Sequence, residues 1–187
     1  MKNNFLFVLP TAFLGGAERV MFNLMLHLLA QGNKVTVYIM SRGDQIGWEE
    51  IKKHSNTNFI IKNYPSEKTS VMPFTKEIYA LSRKENFNYA FSSHTHINAL
   101  LSIYKKVGIL KVESIISRES TFIFERFFGI KRLIFKVMYM FFYGKQSLLI
   151  SQTTKMQESL VINLGYKPVK NMQVISNPVN LEDIDKK

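Results

Sequence analysis

The chain has 187 residues, 46% hydrophobic and 21% charged, which suits one well-packed globular domain and leaves no room for a second of ordinary size. It has no cysteine, which excludes disulfides, thiolate metal sites and a cysteine nucleophile together and fits a reducing compartment. Lys and Arg number 25 against 14 Asp and Glu, and the net charge of +11 favours polyanionic partners: nucleic acid, an anionic membrane surface or phosphorylated small molecules.

In chain order, Phe5-Leu6-Phe7-Val8-Leu9 is a continuous apolar run closed by Pro10, as expected of a strand buried on both faces. Lys2 ahead of that run mimics the start of a signal peptide. Pro10 interrupts it, however, and a helical pattern carrying Glu18 and Arg19 follows at once, so no targeting segment is expected. Ala17 to Gln31 reads as a helix, with polar Arg19, Asn23 and His27 recurring every four positions and Gly32-Asn33 ending it. Lys34 to Ile39 is a β-branched strand. A polar stretch from Ser41 to Asn56 precedes a short strand at Asn58 to Ile61.

Beyond it, helices are expected over Val71–Glu85 and Ile97–Val107, with strands at Tyr89–Ser92 and Glu113–Ile116. Phe122 to Tyr143 is a long apolar-rich helical pattern with a break expected near Gly129. A strand at Leu148–Ser151, a helix at Thr153–Leu164 and a strand at Met172–Ile175 complete the pattern. Short apolar runs alternating with helices predict a three-layer, Rossmann-like α/β domain with a mostly parallel sheet. Ligands of such sheets sit beyond the carboxyl ends of the strands. No segment holds the roughly 18 uninterrupted apolar residues of a spanning helix.

The first strand-to-helix turn is Pro10-Thr11-Ala12-Phe13-Leu14-Gly15-Gly16-Ala17-Glu18-Arg19. Two glycines before a helix let the backbone approach a ligand and aim free N–H groups at an anion. Neither G-x-G-x-x-G nor a P-loop is present, and a simple tight turn is the alternative for the glycine pair alone. The pair is not alone. Leu14-Gly15-Gly16-Ala17-Glu18-Arg19-Val20 and its helix, then Leu29-Ala30-Gln31-Gly32-Asn33-Lys34-Val35-Thr36-Val37, closely resemble the opening of retaining glycosyltransferases of the GT-B fold, family 4-like. At the far end, Leu149-Ile150-Ser151 and Val174-Ile175-Ser176-Asn177-Pro178-Val179-Asn180 resemble the segments that lead that family's chain into its second domain.

The resemblance implies that residues 1–176 are the N-terminal, acceptor-side half of a GT-B enzyme, that 177–187 begin the crossover, and that the C-terminal donor-binding domain is absent. It implies transfer of a sugar from a nucleotide-sugar donor with retention of configuration and no cofactor or bound metal. The acceptor implied is a sugar, typically on a lipid-linked cell-surface glycan at the cytoplasmic face of the membrane. The chain alone is then expected to be inactive. Gly15 and Gly16 would offer N–H groups to the cleft; Glu18 and Arg19 open the helix, either as ligand contacts or as a structural first-turn charge or ion pair.

Ser93-His94-Thr95-His96 follows a strand. His94 matches the family's cleft histidine and is the one catalytic candidate; a capping or loop role is the alternative. For His96 a loop or cap role is preferred, and with no carboxylate or third histidine nearby in sequence no metal site is expected. Where many members place a histidine after the next strand, this chain has Arg118-Glu119, as acceptor or phosphate contacts or as a surface turn. From Arg118 to Lys145 six basic residues stand against two acidic. Arg126, Phe127, Phe128, Lys131, Arg132 and Lys136 are the expected contacts to an anionic membrane, although the basic positions do not share one helical face, and a core helix with solvated lysines is the alternative. No nucleic-acid-binding module is present, so nucleic acid is not an expected partner. Two other classes stay open: a non-catalytic, membrane-peripheral glycan-binding module, and a nucleotide-binding regulatory domain.

Overall fold

Side-chain alternation along the first strand shows why the sheet is covered on both sides. In the computed structural model, which describes residues 2–44 and 46–177, β1 (Asn4–Leu9) sends Leu6 and Val8 into one core and Phe7 and Leu9 into another. All four are fully buried, each worth about 1.5–3 kcal/mol of hydrophobic burial. The first core is closed by α3 (Glu67–Lys84) and α4 (Thr95–Lys106), and the second by α1 (Gly16–Ala30) and α2 (Glu49–Lys53).

The sheet runs β3-β2-β1-β4-β5-β6-β7, where β2 is Lys34–Ile39, β3 Thr57–Ile61, β4 Phe87–Ser92, β5 Val112–Glu119, β6 Leu148–Ser151 and β7 Met172–Val174. Every pairing is parallel, so the expected mostly parallel sheet is wholly parallel among the described residues. Strand order reverses its direction of growth between β1 and β4, which opens a crevice at their carboxyl ends. A third cluster packs α5 (Ile123–Arg126), α6 (Gly129–Phe142) and α7 (Thr154–Leu164) around Phe124, Tyr139 and Leu149.

Several boundaries differ from the sequence expectation, each for a local reason. The polar stretch after β2 contains α2, because Trp48 and Ile51 are both fully buried against the second core. Helix α3 begins at Glu67 rather than Val71, since Ser66 caps it and exchanges a reciprocal bond with Thr69. Strand β5 continues to Glu119 rather than stopping at Ile116, paired throughout with β6. The expected break in the long helical pattern is real: Phe127 and Phe128 are extended, and Gly129 has φ +55°, a left-handed conformation that favours glycine.

Candidate functional site

Helix α1 starts on a turn in which the two glycines do different work. Gly15 is the N-cap, and Glu18, three residues on, folds its carboxylate back over it; a Cβ on Gly15 would sit 2.9 Å from Glu18 Oε2. A side chain at Gly15 therefore displaces the acid. A Cβ on Gly16 would meet nothing within 4 Å, so that residue leaves open space at the helix N-terminus instead. The turn is propped from below by the loop after β2. Trp48 Nε1 donates to the Ala12 carbonyl at 2.7 Å, and a Cβ on Gly43 would come within 3.0 Å of the Ala12 nitrogen.

Across the β1/β4 crevice, His94 Nε2 meets Glu18 Oε1 at 2.9 Å. Burial pushes the Glu18 carboxyl up, but the His94 hydrogen bond and the Glu18 and Gly15 backbone N–H groups outweigh it and hold the acid below its ordinary range. The other ring nitrogen of His94, Nδ1, is buried without a hydrogen-bond partner among the described residues. His94 Nε2 is thus engaged with Glu18, which it orients, while the residue itself lines the crevice. His96 lies beside it, ring centroids 6.0 Å apart, and bonds Glu67 at 2.9 Å, an ion-pair contact on the surface rather than a cap. Among the described residues no group of three or more His, Asp or Glu side chains is placed to hold a metal ion.

Strand alternation separates the two residues that the sequence placed side by side as binding groups. Arg118 faces the crevice, 3% exposed, and donates to Asn177 and to Ser93 Oγ. Among the described residues no carboxylate lies within ion-pair distance of it, although taking an unpaired charge out of water costs several kcal/mol. An anion placed in the crevice would complete that pairing. Burial lowers the guanidinium from its ordinary value against the opposing pull of Glu119, but arginine keeps its charge.

Glu119 points the other way, into the protein, where it accepts from Thr95 Oγ1 at 2.6 Å and Tyr143 OH at 2.7 Å. It therefore ties β5 to α4 and to the end of α6 and does not line the crevice. Burial raises its carboxyl, outweighing the hydrogen bonds that lower it. A raised folded pKa means that the folded state holds the proton more tightly than the unfolded chain does. The contribution to stability is then full below the unfolded carboxyl value of about 4.3 and is lost as pH rises through the folded value. Glu119→Gln, neutral at every pH, removes that slope. Urea midpoints measured across the acidic to neutral range should show wild type losing ground to the variant as pH rises. A pH-independent difference would mean that the carboxyl does not titrate differently in the fold.

Around these groups the crevice has two lobes meeting at Gly16 and Asn177, which line both. The inner lobe, about 440 Å³, is lined by Ala17, His94, Arg118, Ser120, Arg126 and Gln152, with no acidic side chain. The outer lobe, about 660 Å³, is lined by Phe13, Arg19, Asn23, Asp44 and Gly47 among others. Sequence reading missed Gln152, Ser120 and Asp44; each directly follows or closely trails a strand, the one signal that marked them. Of the terminal N-P-V-N segment, Asn177 is placed against Arg118, whereas Pro178 to Asn180 lie outside the described residues.

The residues expected to face a membrane divide. Arg126 lines the inner lobe, Phe127 stacks on Phe135 at 4.9 Å, and Arg132 is half-buried and donates to Asn163. Phe128 and Lys131 are exposed, and Lys136 is half-buried. The outward face of α6 consists instead of Ile130, Leu133, Ile134, Val137, Met140 and Phe141, all exposed. Among the described residues no helix is long and apolar enough to cross a membrane.

Curated proteins provide no match to this chain. Among solved structures it is similar to one described as the crystal structure of a glycosyltransferase from Rickettsia africae ESF-5, at 13% identity and a TM-score of 0.64. That likeness covers 99% of this chain and 48% of the other, so the chain spans about half the length of that protein and shares its fold. The Glycosyltransferase Family 4 model matches residues 14–183, from the glycine turn past β7. A match over that much of the sequence, on a parallel sheet whose crevice is built from the same turn, shows that the chain belongs to glycosyltransferase family 4.

Proposed function

We propose that this chain is the acceptor-side domain of a two-domain, retaining glycosyltransferase that moves a sugar from a nucleotide-sugar donor to a lipid-linked glycan. The observation that carries the reading is Arg118: a buried guanidinium with only neutral partners among the described residues, facing the lobe that also holds the N-terminal end of α1. A diphosphate leaving group needs such a place, since positive charge and oriented N–H groups stabilise the negative charge that builds as the bond to the sugar breaks. In that reaction the acceptor oxygen bonds to the anomeric carbon, the carbon–phosphate oxygen bond breaks, and the acceptor proton goes to the departing diphosphate. The absence of an acidic side chain from the lining of the inner lobe, and the bond that engages His94 Nε2 with Glu18, support a route that needs no protein nucleophile or base there.

The outer lobe suits the acceptor sugar: Arg19, Asn23 and Asp44 offer hydrogen-bonding groups, and Phe13, 64% exposed, offers an apolar platform. The exposed apolar face of α6 supports attachment at a membrane surface, where a lipid-linked acceptor resides. A donor-binding second domain forms the opposite wall of the crevice; the solved relative, about twice as long, supports that arrangement. Incubation with labelled nucleotide sugars and lipid-linked acceptor should give transfer only when residues 1–187 are joined to such a domain. Turnover by residues 1–187 alone, or no transfer by the joined protein to any lipid-linked acceptor, would overturn the reading.

A further inference from the structure

We propose that Asn177 is a strap over the phosphate site: in the empty crevice its side-chain oxygen holds the place on Arg118 that a phosphate oxygen takes, and the arriving anion turns it out. This rests on Arg118 being a phosphate contact, as above, and adds how that contact is kept before the ligand arrives. Arg118 lines the inner lobe, yet only 3% of it is exposed. Its Nη1 donates to Ser93 Oγ at 3.4 Å, a fully buried residue, and its Nη2 donates to Asn177 Oδ1. Ser93 therefore holds the guanidinium from the protein side. Asn177, exposed and lining both lobes, holds it from the crevice side. A guanidinium so covered is open to a forked contact with phosphate only once a partner leaves, and Asn177 is the partner with room to leave.

Electrostatics and packing both favour the exchange. An amide oxygen carries only a partial negative charge, so Asn177 leaves the buried cation without a counter-charge; among the described residues no carboxylate lies within ion-pair distance of it. A phosphate oxygen brings a full charge to the same donor and makes a shorter, stronger bond. The backbone offers little resistance. Asn177 follows β7, a three-residue strand at the sheet edge that pairs with β6 alone. Ile175 N donates to the Ser151 carbonyl at 2.9 Å, and among the described residues no backbone hydrogen bond holds Ser176 or Asn177. Val174 is 41% and Ile175 47% exposed, so no buried apolar side chain anchors the segment. Asn177 can therefore swing away without breaking the sheet, and the arrival of phosphate at Arg118 is passed to the segment after β7.

The probe is inorganic pyrophosphate, titrated into the 187-residue chain at fixed ionic strength and followed by NMR shifts. Two substitutions at this one exposed position should act in opposite directions. Asn177→Ala removes the placeholder, and pyrophosphate should then bind at least about threefold more tightly than to wild type, because a hydrogen bond to a charged group no longer has to be broken. Asn177→Asp puts a full negative charge on the same donor and should weaken pyrophosphate binding at least about tenfold. The pairing it makes with a buried cation should also raise the ligand-free melting temperature by about 2–4 °C. In an Arg118→Gln background the gain from Asn177→Ala should vanish, the non-additivity expected of two groups in contact.

Pyrophosphate binding by Asn177→Ala that is equal to or weaker than wild type overturns the proposal, since Asn177 then supports the anion site rather than covering it. So does an Asn177→Asp protein that melts no higher and binds as wild type does. Loss of binding in Arg118→Gln alongside either result keeps Arg118 as the phosphate contact and defeats the strap alone. Binding that survives Arg118→Gln unchanged, or no binding by any of these proteins, removes Arg118 as the phosphate contact and the strap with it.

Discussion

Arg118→Gln in a transfer-competent protein should lower kcat by about 10²–10³-fold, the loss seen when one preorganised donor to a developing negative charge is removed. The side chain is 3% exposed and its hydrogen bonds go to Ser93 and Asn177, neutral groups that position it without neutralising it. Its charge is therefore available to a phosphate in the inner lobe. Arg118→Lys keeps the charge but not the planar fork, and should recover only part of the rate. Initial rates at saturating donor, with a thermal melt of each variant, separate the effect from unfolding. Transfer at the wild-type rate by a folded Arg118→Gln protein would remove Arg118 from the site.

Trp48→Ala should cost about 3–5 kcal/mol, the usual range for emptying a large aromatic site in a core. Trp48 is fully buried, packs edge-on to Phe22 at 5.7 Å and against Phe59 at 5.6 Å, and donates to the Ala12 carbonyl. Its removal leaves a cavity under α1 and an unpaired acceptor in the turn that carries Gly15 and Gly16. Trp48→Phe keeps much of the packing and loses the hydrogen bond, so a smaller loss is expected, with about 1 kcal/mol from the bond itself. Urea denaturation midpoints of the two variants measure both terms. A loss under about 1 kcal/mol for Trp48→Ala would mean that the loop after β2 does not brace the turn.

The two variants test different links of one construction. Trp48 supports the turn from the second core, and the turn sets where Glu18 meets His94. Arg118 comes to the same crevice from β5, which is separated from β1 by β4. Glu119, one residue further along the same strand, is held by Thr95 and Tyr143 and fastens α4 and α6 to the sheet. One strand end thus supplies both a crevice cation and a buried anchor.

Much of the fold was legible in the chain itself. Apolar runs such as Phe5–Leu9, the four-residue recurrence along α1, and Gly32, Gly129 and Gly165 at positive φ are local signals, because burial periodicity and backbone freedom depend on near neighbours. The parallel α/β class and the glycine turn followed from them. The polar stretch after β2 concealed α2 and Trp48, since an isolated tryptophan among polar residues carries no period. Tertiary structure alone decided which strand-end loops became neighbours. The strand order brings Glu18 to His94 and Arg118 to Asn177, and no local pattern encodes such pairings. It also decided which face each side chain took: β5 runs on to Glu119, so Arg118 enters the crevice while its neighbour is buried. On α6 the packing of Tyr139 against Phe124 and Tyr143 fixed the helix's rotation, which turned Leu133, Ile134 and Val137 toward solvent.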